Sequence, residues 1–331
     1  MIRYFGRRLL QAVIVLWAAF TLAFVILYAL PGDPAVTMLS ASVGDVSMLT
    51  PSEIAQVRAD FGFDRPLALQ YLSALGGILT GHWGTSYSLH RPVLQILVHA
   101  IPSTVQLTVP AFALALLVGG ALAISAVYTR SALLRGLLLS LPPAAVSIPT
   151  FWIGLTLLQW FSFGIHLFPA TGDRKWSAVV LPAVTVAIPT AAVIAQVLAK
   201  NLMSQMREQF VNTARAKGAG RLRLLVRHVL RNASLPALTV VGVSAGNLLA
   251  GAIITENVFS RNGLGYVTVQ AVTNRDIPLV LGVVVLVAGV FVVINLVVDA
   301  LYAVLDPRLG ARMRARAVAR TGEPVAEAVA A

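Results

Sequence analysis

Six stretches of the chain run for about twenty residues with almost no charge: 9–30, 105–127, 137–161, 179–198, 235–254 and 279–301. A helix rises about 1.5 Å per residue, so roughly twenty apolar residues cross a hydrocarbon layer about 30 Å thick. The pattern predicts an all-α integral membrane protein with six transmembrane helices. Pro142, Pro143 and Pro149 fall in the third stretch, and Pro182 and Pro189 in the fourth. Kinked or locally opened helices are expected there, because neighbouring groups can satisfy the freed carbonyls. In the fifth, Gly242 and Gly246, followed by Ala250 and Gly251, put small residues four apart on one face, which lets helices approach closely.

The connections are uneven in length. The segment between the first two spans is long, about 31–98, and a short helix is expected from Pro51 to Arg58, with Pro-Ser at its start. Residues 200–231, between the fourth and fifth spans, form a second informative connection. From Arg221 onward, Leu222, Leu225, Val226, Val229 and Leu230 recur with the spacing of an amphipathic helix, and Arg223, Arg227 and Arg231 make a separate basic row. Glu208 to Lys217 reads as another helix, broken from the next by Gly218-Ala-Gly220. Such a hairpin can lie on anionic lipid or dock into a cytoplasmic partner, its arginines meeting acceptors around an apolar contact.

Composition sharpens the reading. The 331 residues are 58% hydrophobic and only 11% charged, less than half the charge of a typical soluble domain, about 25%. The net charge of +12 does not point to nucleic acid, because the basic residues lie between apolar runs and not on one soluble face. They report orientation instead. Arg3, Arg7, Arg8, Arg130, Arg135, eight basic residues in 200–231 and five from Arg308 to Arg320 fall on one side, eighteen in all, against seven on the other. By the positive-inside rule the eighteen face the cytoplasm. Residues 1–8 and the tail 311–331 are then cytoplasmic, 31–98 is an extracytoplasmic loop, and 99–310 is a core carrying spans two to six. The first span, 22 residues long and followed by Pro-Gly-Asp-Pro, exceeds a signal-peptide core of about 7–15 residues and reads as a retained anchor.

Chemistry narrows the class. There is no Cys, so thiolate metal sites and Cys nucleophiles are excluded, and His82 and His90 lack a further clear ligand; no metal site is assigned. The first five spans as drawn hold no Asp, Glu, Lys or Arg, unlike the ion path of a proton-coupled carrier. Uncharged polar residues within the spans, Gln159, Gln196, Ser244 and Asn247 among them, are candidates for lining a solute pathway, or simply hydrogen-bond within the bundle. No Gly-x-x-x-x-Gly-Lys-Ser/Thr loop occurs, so nucleotide hydrolysis must come from another polypeptide. The chain carries no candidate catalytic residue and reads as a non-enzyme.

Asn212-Thr-Ala-Arg-Ala-Lys-Gly218, with Arg227-His-Val-Leu-Arg-Asn-Ala-Ser-Leu-Pro236 beyond it, resembles the coupling-loop signature of ABC importer permeases, closest to the dipeptide and oligopeptide permease family. Arg3-Tyr-Phe-Gly-Arg-Arg-Leu-Leu10, Leu30-Pro-Gly-Asp-Pro34, Gly81-His-Trp-Gly-Thr-Ser-Tyr87, Phe168-Pro-Ala-Thr-Gly172, Glu256-Asn-Val-Phe-Ser-Arg-Asn-Gly-Leu-Gly265 and Tyr302-Ala-Val-Leu-Asp-Pro-Arg308 are similar to segments of the first permease subunit of such systems. His82 and Trp83 replace the usual pair in the outer-loop motif. The resemblance implies a type I ABC importer permease fold in a bacterial inner membrane. It also implies a second homologous permease, two ATP-binding subunits (or a fused ATPase) and an extracytoplasmic solute-binding protein that delivers the peptide. ATP and Mg are used by the ATPase partners, and this chain binds no cofactor of its own. Asn212, Thr213, Ala214, Arg215, Lys217, Gly218 and Arg223 are the expected ATPase-coupling residues, with Ala214 and Gly218 in close contact and Arg215, Lys217 and Arg223 at the polar rim. Pro236 is expected to fix the start of the fifth span. Relatives with this architecture also handle glutathione and nickel chelates. A self-sufficient secondary transporter is the rival class.

Overall fold

The computed structural model describes residues 2–29, 32, 33, 35, 36, 39, 50–172 and 175–305. The tail 311–331, Asp306 to Arg308, and most of 31–49 lie outside the described residues. Among the described residues the regular elements are all helical. They are α1 (Ile2–Ala29), α2 (Pro51–Phe61), α3 (Leu67–Leu79), α4 (Val93–Tyr128), α5 (Ala132–Ser147), α6 (Thr150–Leu157, continued by π-helical turns over Leu158–Gly164), α7 (Ser177–Gln205), α8 (Gln209–Ala216), α9 (Arg221–Arg223), α10 (Leu230–Val258), α11 (Leu264–Thr273) and α12 (Ile277–Leu305). A π-helical segment, Leu224–Val229, joins α9 to α10 without a break.

Among the described residues five helices are long and apolar enough to cross a membrane, or six if α5 and α6 with its π-helical turns, a pair bent by 99°, count as one broken span. The kink expected in the third span therefore falls at 148–149, where Pro149 is the N-cap of α6. Pro142 and Pro143 sit inside α5, and Pro182 and Pro189 inside an unbroken α7. In the most apolar window of α7, 67% of residues are buried, against 11% in α1; α7 is a central element and α1 a peripheral one.

The chain divides into two compact units. The first comprises the chain up to Leu114, Ser147–Pro189 and Asn247–Val292. Here Phe20 and Phe24 of α1 pack with Tyr71, Leu75 and Ile78 of α3 and with Ile277 and Leu281 of α12. Leu107 and Ala111 of α4 meet Val179, Ala183 and Val186 of α7 and Leu248 and Ala252 of α10. The second unit comprises Ala115–Val146, Thr190–Gly246 and the chain from Val293 on. Its core joins Ala123 and Val127 of α4, Leu198 and Leu202 of α7, Val211 of α8, Leu224, Leu225 and Val229 of the π segment, and Ala233 of α10.

Between helices in lipid there is little hydrophobic driving force, so shape decides packing. Small residues accordingly mark the closest approaches. A Cβ on Gly119 would lie 2.6 Å from the Ala191 carbonyl, and one on Gly242 would lie 2.7 Å from the Val298 side chain.

Candidate coupling site and buried polar knot

The candidate coupling site is built on α8. Its Val211 is fully buried, with Phe210 and Ala214 packed beside it on the same cluster, while Asn212, Thr213, Arg215, Ala216 and Lys217 are exposed. One short helix thus anchors itself by one face and presents polar groups on the other. The C-terminal end is closed by a Schellman motif: the Gly218 N–H donates to the Arg215 carbonyl at 2.9 Å, and the Ala219 N–H to the Ala214 carbonyl at 3.1 Å. This requires a left-handed residue, and Gly218 supplies it with φ +82°. Nothing lies within 4 Å of a Cβ placed there, so backbone conformation, and not crowding, demands glycine.

The polypeptide then re-enters helix at Arg221 and runs through the π segment into α10. Two sequence expectations change here. The buried residues are Leu224, Leu225 and Val229, whereas Leu222 and Val226 are 57% and 47% exposed. The i→i+5 turns insert extra residues per turn and rotate the apolar stripe away from its 3.6-residue spacing. Arg223, Arg227 and Arg231 remain exposed. Pro236, expected at a helix start, lies inside this continuous helix, so it does not set where helical structure begins. Asn201 of α7 donates to the Ala233 carbonyl one turn before it, at 3.4 Å.

Arg221 is a contributor that the sequence motifs did not single out. Its Nη2 donates to the Val127 and Thr129 carbonyls, both at 3.3 Å, and its guanidinium lies 5.4 Å from the Tyr128 ring centroid. Arg135 also donates to the Thr129 carbonyl, at 2.9 Å. Two arginines thereby cap the C-terminal end of α4, a favourable place for cations, and one of them opens the helix that follows α8.

In the first unit, four of the recognised motifs meet internal partners. Glu256 is fully buried and accepts hydrogen bonds from Thr104 Oγ1 at 2.6 Å, the Gly265 N–H at 2.6 Å and the Tyr266 N–H at 3.4 Å. Thr104 Oγ1 in turn accepts from the Leu264 N–H at 2.8 Å. A Cβ on Gly263 would collide with the Glu256 carboxylate, and one on Gly265 with the Ile253 backbone. Arg261, also fully buried, donates to the Gly172 carbonyl at 3.2 Å and the Ser103 carbonyl at 3.3 Å. The 256–265 motif is therefore a buried polar knot that fastens α10 and α11 to α4 and to the 168–172 motif. The apolar pattern ends the fifth span at 254, free of charge; the helix continues to Val258 and carries Glu256 within it.

The Gly81–Tyr87 motif is held similarly. Asp276, buried just before α12, accepts from Ser86 Oγ at 2.6 Å, Ser88 Oγ at 2.8 Å and the Ser88 N–H at 3.0 Å. In the Pro-Gly-Asp-Pro motif Asp33 pairs with Arg58 of α2 and accepts from the Ala35 N–H at 2.9 Å. Burial works against ionisation of Asp33, but the Arg58 contact and the backbone donors outweigh it and hold its carboxyl below the usual range.

The four pathway candidates differ in setting. Gln159, Gln196 and Asn247 are exposed, whereas Ser244 is buried at 6% exposure. No group of three or more His, Asp or Glu able to hold a metal occurs among the described residues.

Comparison with known proteins places this architecture. The family described as binding-protein-dependent transport system inner membrane component matches residues 115–311, and its N-terminal companion matches residues 1–108. The chain is 32% identical to the probable peptide ABC transporter permease protein y4tP of Sinorhizobium fredii, over 92% of this chain and 98% of that protein. It is 34% identical to the glutathione transport system permease protein GsiC of Salmonella typhimurium, over 93% and 99%. To the dipeptide transport system permease protein DppB of Alkalihalophilus pseudofirmus it is 30% identical, again over 93% and 99%. Among solved structures, the MetNI methionine ABC transporter in inward-facing form shares the fold at a TM-score of 0.55 and 16% identity, over 65% of this chain and 98% of that one. The chain belongs to the family of inner-membrane permease components of binding-protein-dependent ABC transport systems.

Proposed function

We propose that the chain is one of two homologous membrane-spanning subunits of an ATP-driven importer for dipeptides and oligopeptides. Two ATP-binding subunits, or one fused protein, dock on the exposed face of α8, and a solute-binding protein delivers peptide to the opposite side. The observation that carries this reading is the construction of α8: buried through Val211, ended by Gly218, and displaying Asn212, Thr213, Arg215 and Lys217. ATP and Mg act in the partners. Ala214, half-buried against the core cluster, and Gly218 stand for the close contacts with the ATPase, and Arg223 stands exposed on the next helix.

Coupling needs an element with two arrangements that both ends can bias. The helix from Arg221 through the π segment into α10 is that element: it begins beside α8 and continues into the fifth span. Closure of the ATPase pair draws α8 along, and the motion passes into α10 without crossing a flexible loop. The peptide class rests on the relatives named for peptide and dipeptide transport. Glutathione, a γ-linked tripeptide, is the second reading, favoured by the 34% identity to a glutathione permease.

Reconstitution tests this. Peptide flux into vesicles is expected only when the second permease, the ATPase subunits and ATP are all present; flux through this chain alone contradicts the proposal.

A further inference from the structure

We propose that α3 is immersed in the membrane, lying against lipid acyl chains in the leaflet at the C-terminal end of α1. Under the topology proposed above this is the outer leaflet; that label rests on that reading, whereas the immersion does not.

Helix α3 is short and apolar, with no charged residue from Pro66 to Gly81. One face, with Tyr71, Ala74, Leu75 and Ile78, packs on Phe20 and Phe24 of α1. The other leaves Leu69, Leu72 and Leu79 exposed by 54%, 60% and 79%. Three exposed leucines on one face of a helix would be costly in water, at about 25 cal/mol for each Å² of apolar surface.

The depth of the contact supplies the occupant. Tyr71 Oη and Thr21 Oγ1 share a hydrogen bond of 2.8 Å. Thr21 lies eight residues before the end of α1 at Ala29, so it sits about 12 Å along the axis from that end, within an apolar layer about 30 Å thick. Around this contact α1 itself exposes Trp17, Leu22, Val25 and Ile26 by 53%, 62%, 55% and 53%. The open face of α3 continues the surface that a spanning helix turns toward lipid.

Polar bookkeeping agrees independently. A segment in hydrocarbon must satisfy its polar groups internally, and the polar side chains of α3 and most of the carbonyls at its C-terminal end do so although much of the helix is exposed. Gln70 donates to the Phe63 and Arg65 carbonyls at 3.3 and 2.8 Å and accepts from Tyr28. Ser73 Oγ turns back to the Gln70 carbonyl at 2.9 Å. At the C-terminal end, where carbonyls usually rely on water, Gly76 accepts from Thr80, Ile78 from Gly81, and Gly77 from the His82 N–H at 2.8 Å. Thr80 Oγ1 adds bonds to Gly76 and Gly77 at 2.9 and 3.1 Å. The helix therefore acts as a half-inserted float that holds the α2–α3 segment at the membrane surface.

The cysteine-free chain makes the test direct. Leu72→Cys is labelled with an environment-sensitive fluorophore in the assembled transporter, in vesicles of phosphatidylcholine with or without brominated acyl chains. Gln56→Cys on the exposed face of α2 is the reference, and Leu69→Cys replaces Leu72→Cys if that variant does not assemble. Immersion predicts at least twofold quenching at the α3 site by the brominated lipid and none at Gln56→Cys. Equal, weak quenching at both sites overturns the proposal, whether the label then reports water or a protein partner covering the face. Quenching at α3 together with failed peptide flux would sink the importer reading and leave this one standing.

Discussion

Gly265 and Thr104 are separated by nearly half the chain, yet each is fixed by the same carboxylate, that of Glu256. Thr104→Val keeps the shape and removes one donor to Glu256 and one acceptor for the Leu264 N–H. It is expected to destabilise by about 1–3 kcal/mol, the usual cost of leaving buried groups unpaired. Gly265→Ala must displace the Ile253 backbone and is expected to cost at least as much, as overpacking does (about 1–3 kcal/mol). Thermal unfolding of the purified permease in detergent measures both, and unchanged midpoints would refute the knot as a structural fastening. The motif around Glu256 was legible as a resemblance; its partner Thr104 was not, because nothing in local spacing announces a contact across 152 residues. Asp33 adds a pH dependence. Its carboxyl is held below the ordinary value, so its contribution is present above about pH 4 and is lost as pH falls through the lower folded value. Protease protection of the segment around Asp33 and Arg58 should fall over that acid range in the wild type and show no such step in Asp33→Asn.

At the scale of elements, the spans could be read because length and apolarity alone define them. The details that the sequence hid have physical causes. Helix α3 is only 13 residues long, too short to register as a span, and its Gln70, Tyr71 and Ser73 mask its apolar face. The stripe of Leu222, Leu225, Val226, Val229 and Leu230 was read at α-helical spacing, whereas the π turns bury Leu224 in place of Leu222 and Val226. This makes the π segment testable. Deleting one residue within Leu224–Val229 turns everything before it by about 100° relative to α10, so α8 is displaced from the position that its core contacts define. Uptake is expected to fall at least tenfold while ATP hydrolysis by the assembled complex persists; full uptake would show that α10 does not carry the motion. Gly218→Leu forces a bulky residue into the left-handed region, at about 1–2 kcal/mol, and opens the end of α8. It should uncouple hydrolysis from uptake and leave the permease in the membrane, as judged by membrane fractionation and paired hydrolysis and uptake assays.

The molecule as a whole is an inner-membrane permease component, and the central claim is that α8 faces the cytosol and grips a separate motor protein. The asymmetry of eighteen against seven basic residues and the exposed face of α8 both bear on it. Because the chain has no cysteine, a single Asn212→Cys substitution reports on that face alone. Labelling with a membrane-impermeant maleimide, in intact cells and in inverted vesicles, with and without the ATPase subunits, decides the matter. The account predicts no labelling from outside, rapid labelling in inverted vesicles, and protection there when the ATPase subunits are bound. Labelling in intact cells, or no protection by those subunits, would contradict it.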